Sequence, residues 1–126
     1  MKIENIKFKA KRLDGKGWAI GDLLHSYENG AIIVPIEGGG AFSVDPSTVC
    51  QFTGLKDCKG NEIWEGDIVH DSYDRLCIDN LYEVVYIEEE GTFAFKSLDK
   101  VDNYEPFVNL FEVYVVGNKF DKENKV

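Results

Sequence analysis

Two histidines, His25 and His70, and three cysteines, Cys50, Cys58 and Cys77, are the side chains best suited to ligate a transition metal or to pair a nucleophile with its base. Structural zinc sites draw their ligands from closely spaced pairs, and none of these residues falls at such a spacing. A cysteine nucleophile also needs a base, a group that orients the base and an oxyanion site, and nothing local marks any of the thiols as reactive. Carboxylates are plentiful, Glu65 with Asp67 and Asp71 with Asp74 among them, but in a chain with 23 acidic residues closeness in sequence singles out no acid–base pair. Gly38-Gly39-Gly40 is followed by neither a Lys-Ser/Thr step nor a helix-forming segment, so it does not read as a phosphate cradle. The expectation is a chain that is not an enzyme, with no catalytic, cofactor-binding or metal-ligating residue and no cofactor.

Charge points to binding instead. The formal net charge is −9, yet residues 1–17 carry six basic side chains against Glu4 and Asp14, a net of +4, and the remainder is −13. Nonspecific affinity for nucleic acid comes from lysines and arginines that release counterions, so this balance argues against it. Lys7, Lys9, Lys11 and Arg12 form a possible interaction site on the first strand. Lysines there also blunt an exposed sheet edge. A basic segment on an acidic body further suits contact between subunits, so a homo-oligomer is expected, with room for an unidentified protein partner. A specific nucleic-acid or nucleoprotein accessory role through this strand is one alternative, and an unrecognised enzyme is another.

The elements that must position these residues read as short strands. Lys7, Lys9 and Lys11 alternate with Ile6, Phe8 and Ala10, the period of a half-buried strand. Asp14-Gly15 turns the chain into Trp18–His25, and Asn29-Gly30 turns it again into 31–36. Asp45-Pro46 has the order of an N-cap and first position of a short helical turn, the single helical signal read here. Strands are expected over 66–70, 81–88, 92–97 and 111–116, with Glu88-Glu89-Glu90-Gly91 as a solvated hairpin turn. The predicted fold is mainly β: a small SH3-like barrel over about 62–118, an N-terminal β lobe over about 1–55 packed against it as a second layer, and a charged tail at 119–126, all within one domain. Trp18…Gly21-Asp22 and Trp64…Gly66-Asp67 echo each other, each followed by two aliphatic residues and a histidine. Apolar stretches fall far short of the roughly 20 residues that span a bilayer, and an odd number of cysteines without close pairing suits a reducing cytoplasm.

One stretch carries a specific resemblance. Val44-Asp45-Pro46, Gln51-Phe52-Thr53-Gly54-Leu55, Lys56-Asp57 with Gly60, and Trp64-Glu65-Gly66-Asp67-Ile68-Val69 follow one another as in the YopX family of phage and prophage proteins, which this chain resembles. Ile6–Ala10, Trp18 with Gly21-Asp22, and Glu112–Asn118 extend the match over most of its length. Cys50 and Cys58 depart from the family wording. The resemblance implies a mainly β fold and a phage or prophage setting, and it carries over no catalytic residue. Physically the motif has the residue types of a structural junction: Phe52 and Leu55 as apolar anchors, Trp64 at the entry to a strand, Gly54 and Gly66 for turns, Gln51, Thr53, Asp45 and Asp67 to bond backbone, and Pro46 to start the helical turn.

Overall fold

The computed structural model describes residues 1–71, 81–98, 104–106 and 113–121. Within them the chain forms β1 (Phe8–Lys11), β2 (Trp18–His25), β3 (Ala31–Val34), β4 (Phe42–Val44), β5 (Cys50–Lys56), β6 (Glu62–Trp64), β7 (Asp67–Asp71), β8 (Leu81–Ile87), β9 (Thr92–Ser97), β10 (Tyr104–Pro106) and β11 (Val113–Asn118). Every recorded strand pairing is antiparallel. The mainly β expectation holds. Two 3-10 turns occur among the described residues where one helical turn was expected, Ile3–Asn5 and Pro46–Thr48, while Tyr27–Asn29 is a turn with left-handed backbone at Glu28 and Asn29. The first lies ahead of the N-terminal strand, with Asn5 and Ile6 donating back to the Lys2 and Ile3 carbonyls before β1 begins at Phe8.

The chain divides into two compact units, Met1–Phe52 and Thr53–Val126, with the boundary inside β5. In the first unit the strand order is β4-β3-β2-β1, and the beginning of β5 lies on the other edge of β1. Ala10, Ala19, Ile33 and Val44 make its core, flanked by Phe8, Leu23, Phe42 and Val49. The ladder curls, so that β4 meets the end of β1 through a bridge between Arg12 and Val44. Small side chains permit the curl. At Gly21, opposite Phe8, a Cβ would stand 2.1 Å from the Val34 carbonyl oxygen, so only glycine lets β2 and β3 come this close.

In the second unit the end of β5 runs beside β6, and a separate sheet has the order β10-β9-β8-β7-β11. Ile63, Val69, Tyr82, Val84, Phe95 and Val113 fill its core. Tyr82 and Val84 alternate inward along β8 while Glu83 faces out toward Lys119, 3.2 Å away. Neither sheet closes through a strand ladder among the described residues, so the architecture is mainly β with two antiparallel sheets. The closing strand, described from Val113 on, runs past its predicted end at residue 116 through Gly117 and Asn118, with a register shift that leaves Val116 between the pairs Val115–Val69 and Gly117–Ile68. Gln51–Leu55, read as a junction, is itself strand, with Gly54 at φ +86° inside it. Cys77, Asp74, residues 107–112 and the end of the charged tail lie outside the described residues.

Candidate functional site

Register decides which side of β1 its lysines occupy. Lys9 pairs with Ile20 and Lys11 with Trp18, while Phe8 and Ala10 point to the core. Lys7, Lys9 and Lys11 therefore share a face with Trp18, Ile20, Asp22 and Leu24 of β2, and through the next pairing with Ile32 and Val34 of β3. The ammonium groups of Lys9 and Lys11 lie 4.6 and 4.8 Å from the Trp18 ring centroid, and that of Lys7 lies 4.8 Å from the Phe52 ring. This is cation–π distance, at which the charged end of each lysine lies over the negative face of the ring. On the same face Ile20 is 48% and Leu24 51% exposed. Arg12 leaves the row: its guanidinium stacks 4.0 Å from the Phe42 ring centroid and pairs with Asp14.

The acidic side chains of the motif bond backbone. Asp45 caps the Pro46–Thr48 turn by accepting from the Ser47 amide at 3.0 Å. Buried Thr48 donates to the Asp45 carbonyl and accepts from the Lys11 amide, at 2.7 and 2.8 Å, fastening the turn to β1. In the second unit Thr53 donates to the Ile63 carbonyl at 2.7 Å, joining β5 to β6. Asp67, 2% exposed, accepts from the Trp64 amide at 2.8 Å and from the Asn118 side-chain amide at 3.0 Å. Asn118 accepts in turn from the Phe120 amide, so the Trp-Glu-Gly-Asp entry into β7 is tied to the end of β11. Gly66, at φ +85°, donates to the Val84 carbonyl and accepts from the Lys119 amide.

Asp57 does most at this junction, and sequence reading missed it. It is buried, and its carboxylate accepts from the amides of Lys59, Asn61 and Val115 at 2.9, 2.8 and 2.8 Å and from the Asn61 side chain. Burial raises its pKa, but the bonds from Val115 and Asn61 outweigh that and hold the carboxyl below its ordinary value. With the Cys58 amide donating to the Val113 carbonyl at 3.0 Å, the turn 57–61 occupies the outer edge of β11. The turn composition was visible in Lys56–Asn61; that its aspartate reaches a strand 58 residues away was not.

A family model described as YopX protein matches residues 7–124, a span that contains the lysine row and every junction residue above. The chain belongs to the YopX family. No curated protein matches it. Within this YopX-family chain the motif residues divide by position. Asp45, Pro46, Gln51 and Phe52 lie in the first unit and Thr53, Gly54, Leu55, Trp64, Gly66 and Asp67 in the second. Phe52 and Trp64 are buried as anchors, but Leu55 is 38% exposed and anchors no core, because the alternation along β5 places it on the side of Gln51 and Thr53, opposite buried Cys50 and Phe52. The two tryptophan–Gly-Asp segments also part ways: Gly21 sits in mid-strand beside exposed Asp22, whereas Gly66 turns the chain ahead of buried Asp67.

Among the described residues no group of three histidine, cysteine or acidic side chains gathers as a metal would require. Cys50 is buried, its thiol donating to the Thr48 carbonyl at 3.3 Å, and Cys58 is exposed. His70 packs on Tyr114 with ring centroids 5.2 Å apart. No helix among the described residues is long and apolar enough to cross a membrane.

Proposed function

We propose that this protein works by docking and not by catalysis, as an accessory protein of a phage or prophage in the bacterial cytoplasm, and that it does so as a homo-oligomer. The observation that carries this reading is the outer face of the first unit, where lysines laid over Trp18 and Phe52 border the exposed side chains of Ile20 and Leu24. Such a face offers both parts of a protein interface, an apolar centre to desolvate and fixed charges to set orientation. Its complement is an acidic surface with apolar neighbours.

A nucleic-acid strand is the second reading, favoured by lysines interleaved with aromatic rings. It is the weaker one: the Trp18 ring already holds the ammonium groups of Lys9 and Lys11, Asp22 stands on the same face, and the whole chain is at −9. As to architecture, the bonding of turn 57–61 along β11 favours an SH3-like reading of residues 62–118 as a narrower proposal. Sedimentation of the full chain tests the function. Association at low salt that weakens at about 0.15 M salt, and is lost in a K9E/K11E variant, is the expected result; a strictly monomeric wild type overturns it.

A further inference from the structure

The first unit, residues 1–52, holds six basic and six acidic side chains; the second, residues 53–126, holds eight basic and 17 acidic ones. The entire net charge of −9 therefore belongs to the second unit. Its densest run is Glu88-Glu89-Glu90, at the tip of the β8–β9 hairpin. The amides of Glu90 and Gly91 both donate to the Ile87 carbonyl, at 3.1 and 2.8 Å, so the three carboxylates are presented together by one tight turn. All are exposed, and none is in an ion pair among the described residues.

The tip is not merely charged. Tyr86 and Tyr104, 42% and 46% exposed, border a groove of about 450 Å³ that the glutamates also line. Phe93 braces Tyr86 edge-on, ring centroids 5.2 Å apart, which holds its ring in place. Carboxylates beside tyrosine rings are the chemistry that receives an ammonium group on an aliphatic stem, with the ring face taking the stem and the carboxylate the charge. The lysine face supplies that group, with Ile20 and Leu24 as its apolar neighbours.

We infer that the occupant of the lysine–aromatic face is the β8–β9 hairpin of a second copy of this chain. The inference rests on the docking face proposed above and names what seats on it. Because face and hairpin are different surfaces, the contact is heterologous, and each copy keeps one free face and one free hairpin. Assembly then runs on to a ring or a filament, and the species formed grow with concentration instead of stopping at a symmetric dimer.

Charge reversal on each side tests the pairing in the full-length protein. Sedimentation velocity at low salt should show wild type associating, and K9E/K11E and E88K/E89K/E90K each failing to associate alone, with affinity lower by on the order of a hundredfold from like-charge juxtaposition. An equimolar mixture of the two variants should associate again, since each then meets the opposite charge on the other, and this recovery also shows that both are folded. The neutral E88Q/E89Q/E90Q variant should lose most of the salt dependence. If E88K/E89K/E90K associates as strongly as wild type while K9E/K11E does not, the hairpin is not the occupant and the docking face stands. If K9E/K11E associates as wild type does, the docking face itself falls, and failure of the mixture to associate overturns the pairing.

Discussion

Asp57 shows how much one carboxylate can hold when it is buried among donors. Removing it as D57A leaves the amides of Lys59, Asn61 and Val115 without their acceptor, and we expect a loss of about 3 kcal/mol in urea unfolding. The sign of its pH dependence follows from the lowered pKa. Its stabilisation is fully present above the ordinary carboxylate value of 3.8 and is lost as pH falls through the lower folded value. Wild type should therefore lose more stability than D57N between about pH 5 and pH 2, and equal losses would show that the carboxylate is not held down by these bonds. Gly66 makes a second residue-scale case. At φ +85° a branched side chain is strained, so G66V should lower the unfolding free energy by roughly 1–3 kcal/mol, and an unchanged midpoint would make the glycine incidental.

At the scale of elements, the first unit depends on β2 lying close to β3 as the ladder curls toward the Arg12–Val44 bridge. A methyl group at Gly21 meets the Val34 carbonyl oxygen and the Pro35 Cα, backbone atoms that can yield only by moving the strand. G21A should thus cost roughly 1–3 kcal/mol by forced displacement, and amide exchange should rise at Asp22–His25 and Ala31–Val34 before it rises in the second unit. Uniform protection across both units in G21A would count against this account. The edge of β11 illustrates the same scale from the opposite direction. An exposed strand edge invites pairing with other chains, and the turn 57–61 forestalls it with one main-chain and one side-chain hydrogen bond.

For the whole molecule, the division of charge governs what approaches it. A body at −9 repels a phosphate backbone beyond contact range, while the lysine row is short and partly engaged with its own rings. A fluorescent random duplex at about 0.15 M salt should accordingly show no binding at micromolar protein. Salt-sensitive micromolar binding would instead make the lysine face a nucleic-acid site. The same partition predicts that self-association weakens with salt only to the extent that the contact is charged, leaving a residue due to Ile20, Leu24 and the tyrosines.

Local patterning determined a good deal of this protein before any coordinates. Alternation at Lys7–Lys11, the Asp45-Pro46 cap, the 81–97 hairpin and the left-handed turn at Gly66 all follow from residue-level chemistry, because a side-chain period of two and a positive φ are properties of a few adjacent residues. Family membership was legible for the same reason, in an ordered run of motif residues. The tertiary structure alone decided which apolar residues stay wet. Ile20 and Leu24 are aliphatic, yet they sit on the side of β2 opposite the core, and only register with β1 and β3 settles that. It also decided that Arg12 leaves the lysine row, that Leu55 is no anchor and that Asp57 and Asn118 are the far partners of β11 and Asp67. Such pairings join residues tens of positions apart, and chain separation leaves no periodic trace of which donor a buried carboxylate will meet.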